Sequence, residues 1–411
     1  MYRLLGKDVS HSYSAEIYQY LGYDYGILDL REDKFENFMR NRVFQGLNIT
    51  MPYKERVIKH LDHLDDVAEE IGVVNTVVKK EGQLWGYNTD YYGLDYLIKK
   101  HNINLLNKNI LILGTGATSK SAASVFRHHK ANKIVKVSRS RGKDSITYDD
   151  LQSVLDFDII VNTTPAGMYP NLEEKLIDLS KFNNLQAVID VIYNPLKTNL
   201  IIQAEKLNIK AVGGLEMLVG QAIKSANLFF DEKFKEEKVK EVYQKALSDK
   251  LNIVLIGMPT SGKTTIGQKL AKKLNKDFKD VDQIIVEQSK RTIKEMFKQD
   301  GEDYFRIKET ALIKELSLLN NTVIATGGGS ILDKNNIKRL KRNGLIFFID
   351  RAKEKLYAEE SRPLTASDED LDAIFEKRYS LYKKASDFQV KNDKDIDAVV
   401  KEIMEKIKWK Y

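Results

Sequence analysis

Residues 252–267 read NIVLIGMPTSGKTTIG, and three signals follow one another within them. An apolar run from Asn252 to Ile256 has the length and composition of a buried strand. Residues 257–264, GMPTSGKT, satisfy the pattern G-x-x-x-x-G-K-[ST], and a stretch of helical character follows. In that strand–loop–helix order the backbone amides cradle phosphates, Lys263 neutralises them and Thr264 ligates Mg²⁺. The expected ATP contacts are Gly257, Pro259, Thr260, Ser261, Gly262, Lys263, Thr264 and Thr265. Such a loop normally follows the first strand of its domain. Here it begins more than halfway along a chain of 411 residues, so a substantial unit precedes it.

Outward from the loop, short apolar runs recur: NILILG (109–114), KIVKVS (133–138), DIIVN (158–162), AVIDVI (187–192), TVIATG (322–327) and LIFFID (345–350). Helix-period segments separate them, which predicts an α/β protein with parallel sheets built from strand–helix–strand units. Residues 231–250 place Phe234, Val239, Val242, Ala246 and Leu247 at three- and four-residue spacings, an amphipathic helix closing the first unit. The junction is short, near Asp249 to Asn252.

Composition narrows the classes. Hydrophobic residues are 42% and charged residues 30%, as in a globular protein. There is no cysteine, which excludes disulfides and thiolate chemistry and suits a reducing cytosol. The charge of +7 comes from 66 Lys+Arg against 59 Asp+Glu. The two signs are interspersed, which speaks against a nucleic-acid stripe and for small anions as the partners of the basic residues. No apolar run is long enough to span a bilayer or serve as a signal peptide, so a cytoplasmic location without membrane contact is expected. Oligomeric state is not legible.

In the first half, LILGTGATSKSAASVF (111–126) sets Gly114 and Gly116 after a strand and before a helix, as in a dinucleotide-binding turn. Ala117 stands where a third glycine is usual. After the second strand come Ser138, Arg139, Ser140, Arg141 and Lys143. An acid there would favour a free ribose hydroxyl, whereas arginine pairs with a 2′-phosphate, so NADP is expected rather than NAD. An ordinary exposed basic loop is the other reading.

Three clusters precede this unit: VSHSYSAEIY (9–18), GLNITMPYKERV (46–57), and GVVNTVV (72–78) with WGYNTDYYGL (85–94). Short hydroxyl and amide side chains with a Lys and an Asp suit a small polyol and acid–base chemistry. Taken singly, Ser12 and Ser14 read equally as helix caps, Asn88-Thr89-Asp90 as a turn, and Lys54 as a surface lysine. HLDHLDD (60–66) places His60 and His63 three apart, but no third or fourth zinc ligand is evident.

Together, and with NTTPAGMYP (162–170), DVIYNPLKT (190–198) and GGLEMLVGQA (213–222), these segments resemble the shikimate dehydrogenase family over roughly residues 1–248. The resemblance implies a two-domain unit: an α/β substrate-binding domain over 1–95, completed by helices within 216–248, and a Rossmann NADP-binding domain over 96–215. It implies that Ser12 and Ser14 hold the substrate carboxylate and that Thr50, Asn75, Asp90, Tyr193 and Gln221 contact the rest of it. Lys54 and Asp90 become the catalytic pair, and Gly114, Gly116, Ala117, Ser138, Arg139, Ser140, Lys143 and Gly214 the NADP contacts. In a ketone reduction the ammonium supplies a proton to the developing alkoxide, and its state belongs to the pair.

Downstream of the phosphate loop, DVDQII (280–285), DYFRIKE (303–309), ATGGGS (325–330), SRPLT (361–365) and EKRYSLYKKASDF (376–388) resemble shikimate kinase over 251–411, a P-loop domain with a parallel sheet. The resemblance implies Asp282 as base and substrate contact, and Asp280 reaching Mg²⁺ through water. Arg306 and Arg378 clamp a carboxylate, the Gly328–Gly329 turn supports the ring, and Arg362 meets the transferring charge. Thr260 departs from the glycine usual in that loop. The joint expectation is a bifunctional chorismate-pathway enzyme: NADPH-dependent reduction of 3-dehydroshikimate, then ATP/Mg²⁺-dependent phosphorylation of shikimate. A quinate/NAD dehydrogenase joined to another polyol kinase stays open, as does a nucleotide sensor without turnover.

Overall fold

The computed structural model describes residues 1–9, 12–152, 154–357 and 368–410. They divide into two compact units, Met1–Leu247 and Ser248–Tyr411. The first contains two sheets. Strands β1 (Tyr2–Gly6), β2 (Gly26–Asp29), β3 (Gly46–Ile49), β4 (His63–Leu64), β5 (Thr76–Lys80) and β6 (Gln83–Tyr87) form one, in the order β2-β1-β3-β5-β6-β4. This sheet is mixed: β1 runs parallel to β2 and β3, whereas β5 is antiparallel to both β3 and β6. The apolar runs that predicted parallel sheets all lie outside this part. β5 and β6 are joined by a tight turn at Glu81 and Gly82, both with positive φ, so no crossover helix separates them. Leu5, Leu47, Ile49, Val77 and Leu84 bury one face against Phe35, Met39 and Tyr53.

Strands β7 (Asn109–Leu113), β8 (Lys133–Ser138), β9 (Ser145–Thr147), β10 (Ile159–Asn162), β11 (Ala187–Asp190) and β12 (Lys210–Val212) form the second sheet, in the order β12-β11-β10-β7-β8-β9. All its pairings are parallel. Counted from β7, that is the order 3-2-1-4-5-6 of the dinucleotide-binding fold, with the switch point between β7 and β10. Ile110, Ile112, Ile159, Val161 and Ile189 are fully or almost fully buried on one side, and Leu111, Leu113, Ile160 and Val188 on the other. Burial on both faces is why these strands read as continuous apolar runs.

Two helices, Thr89–Lys100 and Leu215–Phe230, pack closely along one another. Gly93 makes the approach possible, since a Cβ there would lie 2.5 Å from the carbonyl of Met217. A further helix, Glu236–Lys250, buries Val239, Val242, Ala246 and Leu247, while Phe234 precedes it.

The second unit has one parallel sheet of β13 (Asn252–Ile256), β14 (Asp277–Asp280), β15 (Thr322–Ala325), β16 (Gly344–Asp350) and β17 (Phe388–Lys391), in the order β14-β15-β13-β16-β17. β13 is central and wholly buried, and the helix Lys263–Leu274 follows its C-terminal loop. A ligand at the carboxyl ends of β13 and β15 would face both that loop and the turn after β15. Among the described residues no helix is long and apolar enough to cross a membrane.

Candidate active sites

In the first unit, the end of β3 leads through a turn in which the Tyr53 amide bonds the Thr50 carbonyl at 2.9 Å, and the Val74 amide bonds the Lys54 carbonyl at 2.9 Å. Asp90 lies in the first turn of the helix Thr89–Lys100, capped by Asn88, whose side chain accepts from the Tyr91 amide. Lys54 Nζ donates to Asp90 Oδ2 at 2.6 Å, with the two side chains only 12% and 8% exposed. At that burial the pair is poorly screened, unlike an ordinary surface ion pair. The surface-lysine reading of Lys54 is thereby removed.

Asn75 Nδ2 donates to Asp90 Oδ1 at 2.9 Å and to Gln221 Oε1 at 3.0 Å. Its orientation is enforced, because Asn75 Oδ1 already accepts from the Thr89 amide at 2.6 Å. Behind it, the hydroxyls of Thr76, Thr89 and Ser225 lie 2.8–3.1 Å apart. Asn48 completes this buried network by accepting from Tyr18 and Tyr25 at 2.9 and 2.7 Å and donating to Thr76 and Ser225 at 3.0 and 2.8 Å. Burial pushes both tyrosine hydroxyls well above their ordinary pKa, so they stay protonated donors. Asn48 was not singled out from the sequence, although it sits two residues before Thr50 in the same motif.

Ser12 Oγ donates to Ser14 Oγ at 3.1 Å, and Tyr193 hydrogen-bonds Ser12. Burial raises the Tyr193 hydroxyl against the lowering effect of that bond. The helix Ser14–Tyr20 has Tyr13 at its N-cap with no side-chain cap bond, so the Ser14 hydroxyl is not spent on capping. Thr50 packs its methyl against Gly6, where a Cβ would lie 2.4 Å from it.

At the dinucleotide turn, Gly114 has φ 106° and Gly116 caps the helix Ala117–His128 without a side-chain bond. A Cβ on Gly116 would meet nothing within 4 Å, so the space before the first-turn amides is open. Those uncapped amides at the positive helix end fit a pyrophosphate. In the basic loop, Arg141 is engaged by Asp150 at 2.8 Å. Arg139, Ser140 and Lys143 are exposed, while Ser138 turns its hydroxyl onto the Ser140 carbonyl. Gly214 has a packing reason to be glycine: a Cβ there would lie 2.1 Å from the Val191 carbonyl. His60 and His63 do not converge. His60 Nε2 lies 2.9 Å from Glu36, and His63 bonds Gln83 at 2.9 Å and stacks on Trp85.

In the second unit the phosphate loop carries positive φ at Gly257, Thr260 and Gly262. Lys263 Nζ donates to the carbonyls of Gly257 and Met258 at 3.0 and 2.8 Å. The buried Ser261 hydroxyl finds no partner among the described residues. Thr264 Oγ1 donates to Asp280 Oδ2 at 2.7 Å. An oxygen pair of this kind beside a phosphate loop fits Mg²⁺, which takes few protein ligands and keeps its waters.

The turn after β15 faces this loop. A Cβ on Gly327 would lie 2.5 Å from Asp282 Oδ1 and 2.7 Å from Glu309 Oε1, and one on Gly329 would lie 2.2 Å from Arg306 Nη2. The glycines therefore make room for an acid and a guanidinium at one place. Arg306 is held by Glu309 at 2.7 Å and Glu302 at 2.9 Å. Burial opposes its charge, but the two carboxylates outweigh that and raise its pKa. Arg378 donates to the Gly328 carbonyl at 3.2 Å, and its buried Nε has no partner among the described residues. Glu309, only 1% exposed, was not picked from the sequence. Its signal was its place three residues after Arg306, on the same helical face. Arg362 lies outside the described residues.

Comparison with known proteins finds relatives for both units. The family model "Shikimate dehydrogenase substrate binding domain" matches residues 4–77, and "Shikimate kinase" matches residues 259–408. Shikimate dehydrogenase (NADP(+)) of Clostridium perfringens is 32% identical over 264 residues, covering 59% of this chain and 97% of that protein. The crystal structure of shikimate dehydrogenase 1 from Peptoclostridium difficile is 35% identical with a TM-score of 0.56, covering 59% of this chain and 96% of that one. The Thermus thermophilus shikimate 5-dehydrogenase, solved with NADP(H) and shikimate, is 25% identical with a TM-score of 0.54 and is covered to 98%, against 60% of this chain. A relative matched along nearly its whole length, together with a shikimate kinase match over residues 259–408, leaves one assignment: the chain belongs to the shikimate dehydrogenase family and carries a shikimate kinase domain in its C-terminal part.

Proposed function

We propose that the first unit reduces 3-dehydroshikimate to shikimate and that the second phosphorylates shikimate to shikimate 3-phosphate. The observation that carries the first step is the buried Lys54–Asp90 pair, with the Asn75 amide donating both to Asp90 and to Gln221. Bound NADPH supplies the hydride. Lys54 donates a proton to the developing alkoxide, and Asp90 fixes the ammonium in place. Asn75, its oxygen fixed by the Thr89 amide, and Gln221, held by Asn75, face the ring hydroxyls. Ser12, Ser14 and Tyr193 offer neutral donors to the carboxylate, and Thr50 flanks the ring. Arg139, with Lys143 beside it, selects the 2′-phosphate of NADP.

In the second unit, bound ATP with Mg²⁺ supplies the phosphoryl group. Asp282 accepts the acceptor hydroxyl's proton, Arg306 and Arg378 clamp the carboxylate, and Lys263 with the loop amides neutralises phosphate charge. Thr264 and Asp280 face the metal, and Arg362 is assigned to the transferring group. The domain limits 1–95, 96–215 and 251–411 belong to the same proposal, as does action in the cytoplasm on small molecules.

One reaction mixture tests it: purified chain, 3-dehydroshikimate, NADPH, ATP and Mg²⁺, followed by mass spectrometry. Shikimate 3-phosphate is expected. Shikimate accumulating without phosphate would remove the kinase step, and no consumption of 3-dehydroshikimate would remove the first.

A further inference from the structure

Thr260 has φ +59°. That is the left-handed region, which a β-branched side chain enters only at a cost. Such a residue persists where its surroundings over-determine it, and the bonds on Thr260 do so. Its Oγ1 accepts from the Tyr357 amide at 3.3 Å and donates to the Tyr357 carbonyl at 3.3 Å. Its own carbonyl accepts from Arg351 Nη1 at 3.0 Å. All these partners lie between Arg351 and Tyr357, the stretch leaving β16, 97 residues away from the loop in the case of Tyr357. From the other side Asn392, just after β17, donates to the Ser261 carbonyl at 2.8 Å.

A glycine would adopt the same φ without strain and could offer neither hydroxyl bond. The residue present therefore exchanges backbone ease for a clasp. The left-handed turns at Thr260 and Gly262 flank Ser261, whose buried hydroxyl has no partner among the described residues. Alternation of this kind makes successive amides converge into an anion-binding concavity. If residue 260 left the left-handed region, those amides would diverge.

We infer that Thr260 is a positioning residue for the nucleotide: its hydroxyl clasps Tyr357 and holds the phosphate loop in its binding conformation. The inference rests on the reading of residues 257–264 as the ATP site. Because the clasp acts on the loop, its loss raises KM for ATP and leaves KM for shikimate unchanged.

The test is calorimetric binding of MgADP to the full-length chain, with steady-state kinase kinetics and thermal unfolding, for Thr260→Ser, Thr260→Val and Thr260→Gly. Serine keeps the hydroxyl and is expected within about twofold of wild type. Valine keeps the β-branch but not the bonds, and glycine removes both strain and bonds. Each is expected to bind MgADP roughly three- to tenfold more weakly, the range of one lost net hydrogen bond. Glycine binding as tightly as wild type, with a raised unfolding midpoint, overturns the inference, since Thr260 would then be strain without a role. Unchanged binding by the valine variant overturns it too. Failure of the wild type to bind MgADP sinks the nucleotide-site reading and the clasp with it.

Discussion

In the first unit Lys54, Asp90, Asn75 and Gln221 come from distant parts of the chain, Asn75 and Gln221 bonding across 146 residues, each oriented by another side chain or amide in a buried network. In the second, Lys263 and its loop occupy consecutive residues, and their arrangement is written in backbone dihedrals at Gly257, Thr260 and Gly262. One site is assembled from side chains by packing. The other is assembled from backbone by local sequence, with its acceptor end supplied by glycines that let Arg306, Glu309 and Asp282 approach. A side-chain site is vulnerable wherever its network is cut, while a backbone site is vulnerable at few positions and severely there.

The sharpest break of that comparison comes from the two lysines. Lys54→Met is expected to lower dehydrogenase kcat by about a thousandfold, within the range of lost proton transfer and charge stabilisation. Lys263→Ala is expected to lower phosphoryl transfer by a similar factor. Each is read with both activities measured on the same preparation. If Lys54→Met kept a tenth of wild-type kcat, the proton would have another source and the buried pair would be structural.

Glu309→Ala probes whether the kinase acceptor end also depends on a buried network. Removing one partner of a buried ion pair strands the other, which costs about 3 kcal/mol. Chemical denaturation of the second unit should show that loss, along with a higher KM for shikimate. A change below 0.5 kcal/mol (roughly the effect of an exposed pair) would mean Glu302 alone suffices to hold Arg306.

Asp190, at the end of β11, tests the first unit through pH. Burial pushes its carboxyl up to about 7, against the bonds from Thr198, Ile192 and Asn162 that lower it. The folded form then holds a proton that the unfolded chain releases near 3.8. Stability from this group is present at low pH and lost as pH rises towards 7. Between pH 5 and 8 the wild type should therefore lose on the order of 2 kcal/mol relative to Asp190→Asn, measured by denaturant titration. Parallel curves for the two proteins would show an ionised Asp190 throughout.

The smallest effect is expected at the exposed Arg139. Arg139→Ala should raise KM for NADPH about tenfold, as for a lost charge-assisted bond, and leave KM for NADH unchanged. Equal effects on both would return the loop to an ordinary basic surface.

Legibility followed burial. β7, β10, β11, β13 and β15 are covered on both faces, and their apolar runs stood out in the sequence. β2, β9, β14 and β17 are short edge strands with mixed composition, and no periodicity marked them. β1, β3, β5 and β6 were likewise unread, although the motifs lying between them were. In β3 and β5, Asn48 and Thr76 belong to the buried network behind the site and interrupt the apolar pattern that would have betrayed strands. Glu309 and Asn48 escaped for a related reason: each acts by touching another functional side chain, and a single sequence records no contacts.

By itself the sequence determined the phosphate loop, the dinucleotide turn, the α/β class and the identities of the groups that can carry charge and protons. These rest on local order: which residue follows a strand, which precedes a helix, and where glycine stands. Tertiary structure alone decided that Lys54 is buried against Asp90, that the Asn75 amide faces Asp90 and Gln221, and that Arg306 lies over Gly329. It also decided that Thr260 is clasped by Tyr357. Orientation and burial come from segments distant in the chain packing together, and only there does a dielectric, a hydrogen-bond partner or a steric limit act on a side chain.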